Sequence, residues 1–155
     1  MGRVFKNSSE LGQHLASIRK GKKVVFTNGC FDILHIGHVR YLQEAKALGD
    51  FLVVAINTDQ SVKVIKGPSR PIQNESDRAE ILAALGAVDF VTYFSEDTPE
   101  KVIGQIKPDI LVKGGDWPVD KIVGAKFVMS YGGEVRTLQF IEGRSTTSIV
   151  DKMKN

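Results

Sequence analysis

Two of the chain's three histidines, His35 and His38, stand three residues apart with Gly37 between them. Residues at that spacing share a helix face. The pair follows the apolar run Val24-Val25-Phe26 and a turn that contains Gly29, and it leads into VRYLQEAKALG, which has helical spacing. A strand therefore ends, a turn follows, and a helix opens on His-x-Gly-His. The first turn of a helix presents unpaired N–H groups and the positive end of its dipole, a natural seat for phosphate. Gly37 removes a side chain where a phosphate would approach. One histidine at a helix start is ordinarily a cap or a surface residue; two that flank a glycine directly after a strand and turn suit a nucleoside triphosphate.

Other residues have the right chemistry to join them. Ser145, Thr146 and Thr147, in GRSTTSIV, place hydroxyls and N–H groups at a second predicted helix start, a phosphate cradle or a plain Ser/Thr cap. Lys66 and Arg70, in KGPSRP, are loop cations that either stay solvated or capture phosphate oxygens as the loop closes. Asp32 and Asp59 each follow a predicted strand, where an Asp commonly stabilises a turn. KGGDW supplies two glycines for close backbone approach, Lys113 and Gly114 at a strand end, and Asp116 for an amine or hydroxyl, while Trp117 covers the edge of the core or stacks on a base. Cys30 reads as a small packed residue, and neither an activated nucleophile nor a structural zinc set is visible.

GCFDILHIGH resembles the GxFDxxHxGH signature of the cytidylyltransferase-like nucleotidyltransferases. Further matches span most of the chain: INTD at Ile56–Asp59, KGPSRP, DRAEIL at Asp77–Leu82, KGGDW and GRSTTSIV. Together they are most similar to the heptose 1-phosphate adenylyltransferase branch, which often forms the C-terminal half of a bifunctional heptose kinase/adenylyltransferase. The resemblance implies transfer of AMP from ATP to D-glycero-β-D-manno-heptose 1-phosphate, with Mg²⁺ carried chiefly by phosphates and water rather than by protein ligands. It implies that His35, His38, Lys66 and Arg78 act on the phosphates. It places the nucleotide against Gly29, Cys30, Phe31, Asp32, Gly37, Lys113, Gly114, Asp116, Ser145, Thr146 and Thr147, and the acceptor near Asp59, Lys66 and Arg70. Arg78 is otherwise an ordinary helix-surface partner. A separate kinase would supply the sugar phosphate, and a homodimer is common among similar proteins.

A phosphate monoester has a second pKa near 6 and is largely ionised at neutral pH. Such a nucleophile needs placement and charge stabilisation more than a strong base, which fits a site of His, Lys, Arg and backbone N–H groups. Glycerol-3-phosphate cytidylyltransferases share HxGH and STT but carry Arg where this chain has Phe140. Class I aminoacyl-tRNA synthetases share HIGH, but no KMSKS-like loop is present. Other readings are a nucleotidyltransferase for another phosphorylated alcohol and a nucleotide-binding scaffold that lacks turnover.

The 155 residues suit one domain, 1–155, with residues 1–21 as a helical extension packed on it. A hydrophobic share of 42% without a run near the ~20 residues of a membrane span implies no membrane partner, and there is no apolar leader. One cysteine allows no internal disulfide, so a cytoplasmic setting is expected. A net charge of +3, with basic residues scattered, argues against nucleic acid as a partner.

The pattern predicts a first helix capped by Ser8 or Ser9 and ended by Gly21, then a strand over Lys23–Thr27, a helix after Ile36, and a doubly buried strand over Phe51–Ile56. Residues Asn57 to Pro71 read mainly as loop with a helical turn near Ser61–Ile65. There follow a helix from Asn74 or Ser76 to Leu85, a strand over Phe90–Phe94, a helix opened by Thr98-Pro99, a strand over Ile110–Val112, a helix over Val123–Tyr131, a strand over Glu134–Leu138 and a helix capped by Ser145. Alternating strands and helices mean an α/β fold with a doubly wound parallel sheet, whose ligands sit beyond the carboxyl ends of the strands. The resemblance implies a Rossmann-like, five-stranded sheet ordered 3-2-1-4-5.

Overall fold

In the computed structural model, residues 1–139 and 145–154 are described. Phe140 and Arg144, which bear on the choice between cytidylyl and adenylyl transfer and on added phosphate charge, lie outside them. The elements run β1 (Arg3–Phe5), α1 (Ser8–Ile18), β2 (Val24–Gly29), α2 (Ile36–Ala47), β3 (Phe51–Asn57), α3 (Asp59–Lys66), α4 (Glu75–Ala83), β4 (Phe90–Phe94), α5 (Glu100–Ile106), β5 (Ile110–Gly114), a 3₁₀ turn (Val119–Lys121), α6 (Ala125–Ser130), β6 (Glu134–Leu138) and α7 (Thr146–Lys154).

All six strands pair in parallel in one sheet ordered β1-β4-β3-β2-β5-β6. Strands β2 to β6 reproduce the expected order; the sixth strand is new. Arg3–Phe5 pairs with Phe90–Thr92 at the edge, so the N-terminal segment is a strand and a helix rather than a helical extension alone. Three residues give too short an alternation to read as a strand, and the sheet edge supplies their hydrogen bonds. The first helix is capped by Asn7, whose side chain accepts from the Ser9 and Glu10 N–H groups at 2.8 and 3.2 Å, not by Ser8 or Ser9.

The stretch read mainly as loop contains a full helix, α3, capped by Thr58. Its eight residues bury Ser61 and Val62 and expose Val64 and Ile65; at barely two turns, beside a segment with Gly67, Pro68 and Pro71, it is too short for periodicity to set it apart from a loop. Two cores sandwich the sheet. Phe26, Val53, Phe90 and Leu111 face Leu11, Leu15, Ile103 and Val128, while Val25, Val54, Val91 and Ile110 face Leu42, Ala79 and Leu82. Alternate strand residues thus serve opposite cores, as a two-faced parallel sheet demands.

The register explains where the fold opens. Strand β2 pairs with β3 from Val24 to Gly29 but with β5 only at Val25 and Phe26. Beyond Phe26 the central strands part, at the point where the chain order reverses, which is where open α/β sheets bind ligands.

Candidate active site

The crevice between β2 and β5 holds a cavity of about 150 Å³. Asn28, Gly29, Cys30 and Phe31 line one bank, Lys113 and Gly114 the other, and His38 and Tyr41 rise from α2. The expected residues Gly29, Cys30, Phe31, Lys113 and Gly114 are therefore brought together with the histidine motif. Asn28 and Tyr41 are additions. Tyr41 lies three residues beyond His38 on the same helix face, and that spacing is the signal that would have found it. Its hydroxyl lies 2.7 Å from Thr27 Oγ1, and burial pushes its pKa up to about 12.

The turn after β2 is tight. Phe31 takes φ 47°, a left-handed conformation that costs a bulky residue about 1–3 kcal/mol. Its ring packs against Gly29, where a Cβ would lie 2.9 Å from Phe31 Cε2, and against His38 at a centroid distance of 5.2 Å.

His35 is the cap of α2, and its Nδ1 accepts the N–H of buried Gly37 at 3.1 Å. His38 Nδ1 accepts the N–H of His35 at 3.3 Å. The rings lie 3.9 Å apart between centroids. Because each Nδ1 accepts a backbone proton, each neutral ring carries its own proton on Nε2 and is a donor there. Burial, then the neighbouring His35, lowers the His38 pKa to about 4, so His38 is uncharged at neutral pH.

The α7 start docks on the same turn. Thr146 Oγ1 donates to the Ile33 carbonyl at 2.8 Å, and Ser145 caps the helix by accepting the Ser148 N–H at 3.0 Å. This seats the start of α7 on the turn that leads to His35.

Other expected site residues are placed differently. Asp32 is 2% exposed and accepts from Arg70 Nε at 2.7 Å and from the Ile72 and Gln73 N–H groups. Burial alone would raise its pKa; those N–H groups and Arg70 outweigh burial and hold it below the usual carboxylate value. Arg70 is thus folded onto Asp32 rather than held out as a loop cation. Arg78, expected at the phosphates, is 1% exposed and donates to the carbonyls of Gln73, Cys30 and Asn57 and to Asp59 Oδ1. Lys66 ends α3 exposed, near enough to Cys30 for its charge to oppose the upward push that burial gives the thiol. Asp116 is exposed and accepts from Gln139 at 2.6 Å, outside the cavity lining. Trp117 is 52% exposed beneath Lys113 Nζ, so it does not cover the core edge. Among the described residues no three His, Cys, Asp or Glu side chains are grouped to hold a metal ion, and Asp32 and Asp59 are already paired with Arg70 and Arg78.

The cytidylyltransferase-like family matches residues 26–151, which include the whole crevice. The chain belongs to that family. Among curated relatives, the bifunctional protein HldE of Ectopseudomonas mendocina is 59% identical over 87% of this chain, and that of Citrifermentans bemidjiense 58% over 86%. The chain spans 28% of the length of either relative. A lipopolysaccharide core biosynthesis protein from Thermoplasma volcanium, 31% identical, superposes with a TM-score of 0.64 over 80% of this chain and 100% of its own. A pantothenate synthetase from Thermus thermophilus, 19% identical with a TM-score of 0.58 over 90% of this chain and 62% of its own, shares the fold. No helix among the described residues of this cytidylyltransferase-like chain is long and apolar enough to cross a membrane.

Proposed function

We propose that this chain is an adenylyltransferase that moves AMP from ATP to D-glycero-β-D-manno-heptose 1-phosphate, forming ADP-heptose and pyrophosphate. The observation that supports the transferase reading is the histidine pair at the α2 start, each Nδ1 locked to a backbone N–H, with His38 lining the β2/β5 crevice. The acceptor follows from similarity to bifunctional HldE proteins over most of the chain.

The sugar phosphate oxygen attacks the α-phosphorus in line and the pyrophosphate oxygen leaves opposite. Donors aimed at charge that develops during the step supply most of the stabilisation. His35 and His38 hold the α-phosphoryl oxygens. The α7 start, with Ser145, Thr146 and Thr147, receives the β- and γ-phosphates, and Lys113 and Lys66 balance their charge. Gly29, Cys30, Phe31 and Gly37 shape the nucleotide side, with Gly37 leaving room at the helix start. The acceptor approaches from the side of Asp59. With both turn carboxylates paired, no protein cage for Mg²⁺ stands among the described residues; the ion would be held by triphosphate oxygens and water and would neutralise their charge. The reaction takes place in the cytoplasm, on substrate made by a heptose kinase.

The test is pyrophosphate release with Mg²⁺, crossing ATP and CTP against heptose 1-phosphate, glycerol 3-phosphate and pantetheine 4′-phosphate. Release with ATP and heptose 1-phosphate alone is expected. Turnover of CTP with glycerol 3-phosphate would replace both donor and acceptor, and ATP binding without release from any pair would remove the catalytic reading.

A further inference from the structure

Gln73 lies between α3 and α4, and both polar groups of its backbone are held by buried charges. Its N–H donates to Asp32 Oδ1 at 2.9 Å, and its carbonyl accepts from Arg78 Nε at 3.0 Å. On one side Asp32 also accepts the Ile72 N–H at 2.8 Å and Arg70 Nε at 2.7 Å. On the other, Arg78 Nη1 donates to the Cys30 carbonyl at 2.7 Å and the Asn57 carbonyl at 2.9 Å, and Nη2 to Asp59 at 2.8 Å.

A guanidinium has five N–H donors, and four of those of Arg78 already have protein acceptors. It cannot grip a phosphate with a fork without releasing part of the structure. Its acceptors lie at the end of β2, the end of β3, the start of α3 and the 67–74 loop. Cys30 and Asp32 flank the left-handed Phe31 in the turn that leads to His35. A buried ion pair is weak evidence for stability, but one that ties four separate segments fixes their relative geometry.

We infer that Asp32 and Arg78 form a two-jawed clamp on the Gln73 backbone, which locks the 67–74 loop to the turn before His35, and that Arg78 is a positioning residue for the histidine pair rather than a phosphate ligand. The inference rests on the nucleotidyl-transfer reading above.

The test uses Arg78→Lys, Asp32→Asn and the double variant. Lysine keeps the charge but is a point donor that cannot span the four acceptors; asparagine keeps the shape and loses the charge. Pyrophosphate release gives kcat and the KM for ATP, and hydrogen exchange read by mass spectrometry follows peptides covering 28–35 and 67–74. Each single variant is expected to lower kcat about 10²-fold, the scale of a small misplacement of reacting groups, with the KM for ATP within about threefold. The double variant falls no more than about threefold below the weaker single, because sites that act as a unit are not additive. Both peptides exchange faster in every variant.

A tenfold rise in the KM for ATP with kcat retained in Arg78→Lys would make Arg78 a phosphate ligand. Multiplying losses, or unchanged exchange in both peptides, would equally overturn the clamp. Asp32→Asn carries the test by itself if Arg78→Lys does not fold. Exchange requires no turnover, so a wild-type protein inactive with every substrate pair would overturn the functional reading and still leave the clamp tested.

Discussion

The two banks of the crevice are built by different means. Behind the β2 bank, Asp32 and Arg78 are 2% and 1% exposed and are held by hydrogen bonds to Arg70, to backbone groups and to Asp59. On the β5 side, Lys113 is half-buried over a half-exposed Trp117, and Asp116, beyond the lining, meets Gln139 in solvent. One bank is set by the fold before any ligand arrives. The other offers groups whose geometry a ligand completes. Positions fixed in advance are what a charge-stabilising site requires, whereas solvated contacts are suited to substrate capture and exchange.

The largest expected difference between the banks is in stability. Asp32→Ala leaves Arg70 and two N–H groups without their buried acceptor and is expected to cost about 3–5 kcal/mol, the usual loss when one partner of a buried pair is removed. Urea unfolding measures it, and a loss below 1 kcal/mol would erase the contrast. His38→Ala and His35→Ala, at the junction of the banks, are each expected to lower turnover about 10²–10³-fold, as for loss of one preorganised donor. Only a few-fold change in both would remove the pair from the chemistry. On the open bank, Lys113→Ala is expected to raise the KM for ATP about fivefold, on the order of the 1 kcal/mol of a partly screened charge contact, with kcat nearly unchanged. Asp116→Ala is expected to alter stability by no more than about 0.5 kcal/mol, the range of an exposed substitution, which the same urea series reads.

A pH experiment sharpens the comparison. His38 is held neutral down to about pH 4, while an unfolded histidine titrates near 6.5. Between those values the unfolded chain binds the extra proton, so stability falls as pH drops from about 6.5 towards 4 and gains nothing from this group above 7. In an NMR titration of the free protein the His38 ring is expected to move with a midpoint near 4, and His38→Gln is expected to flatten the stability slope over that window. A midpoint at 6 to 7 would mean that the ring is not buried as described.

Much of this was legible in the sequence, for reasons that can be named. The runs at Val24-Val25-Phe26 and Phe51–Ile56 are continuous because both faces of the sheet are covered, and the helix after Ile36 announces itself by spacing. The five-strand order came from resemblance, and β1 was missed because three residues carry no period. The motifs placed Gly29, Cys30, Lys113 and Gly114 after strands, and the parting of β2 from β5 brings them to one cavity. Burial was the property that spacing did not disclose. Arg70 and Arg78 read as available cations because charge is normally solvated, whereas here they are folded inward onto Asp32 and Asp59. A sequence states that a residue is charged; only its partners state whether that charge faces a substrate.

In the proposed reaction an uncharged His38 also bears on product release. Pyrophosphate is compact and highly charged, and a pair of imidazolium ions would retain it by Coulomb attraction in a crevice sheltered from water. A neutral ring donates a hydrogen bond as the α-phosphorus reacts but exerts no net charge on the departing anion. In that reading the product is held by the hydroxyl and N–H groups at the α7 start and by the charges of Lys66 and Lys113, whose attraction salt screens. If the proposed transfer holds, product departure is expected to quicken with ionic strength, while the hydrogen bonds that serve the chemical step are left in place.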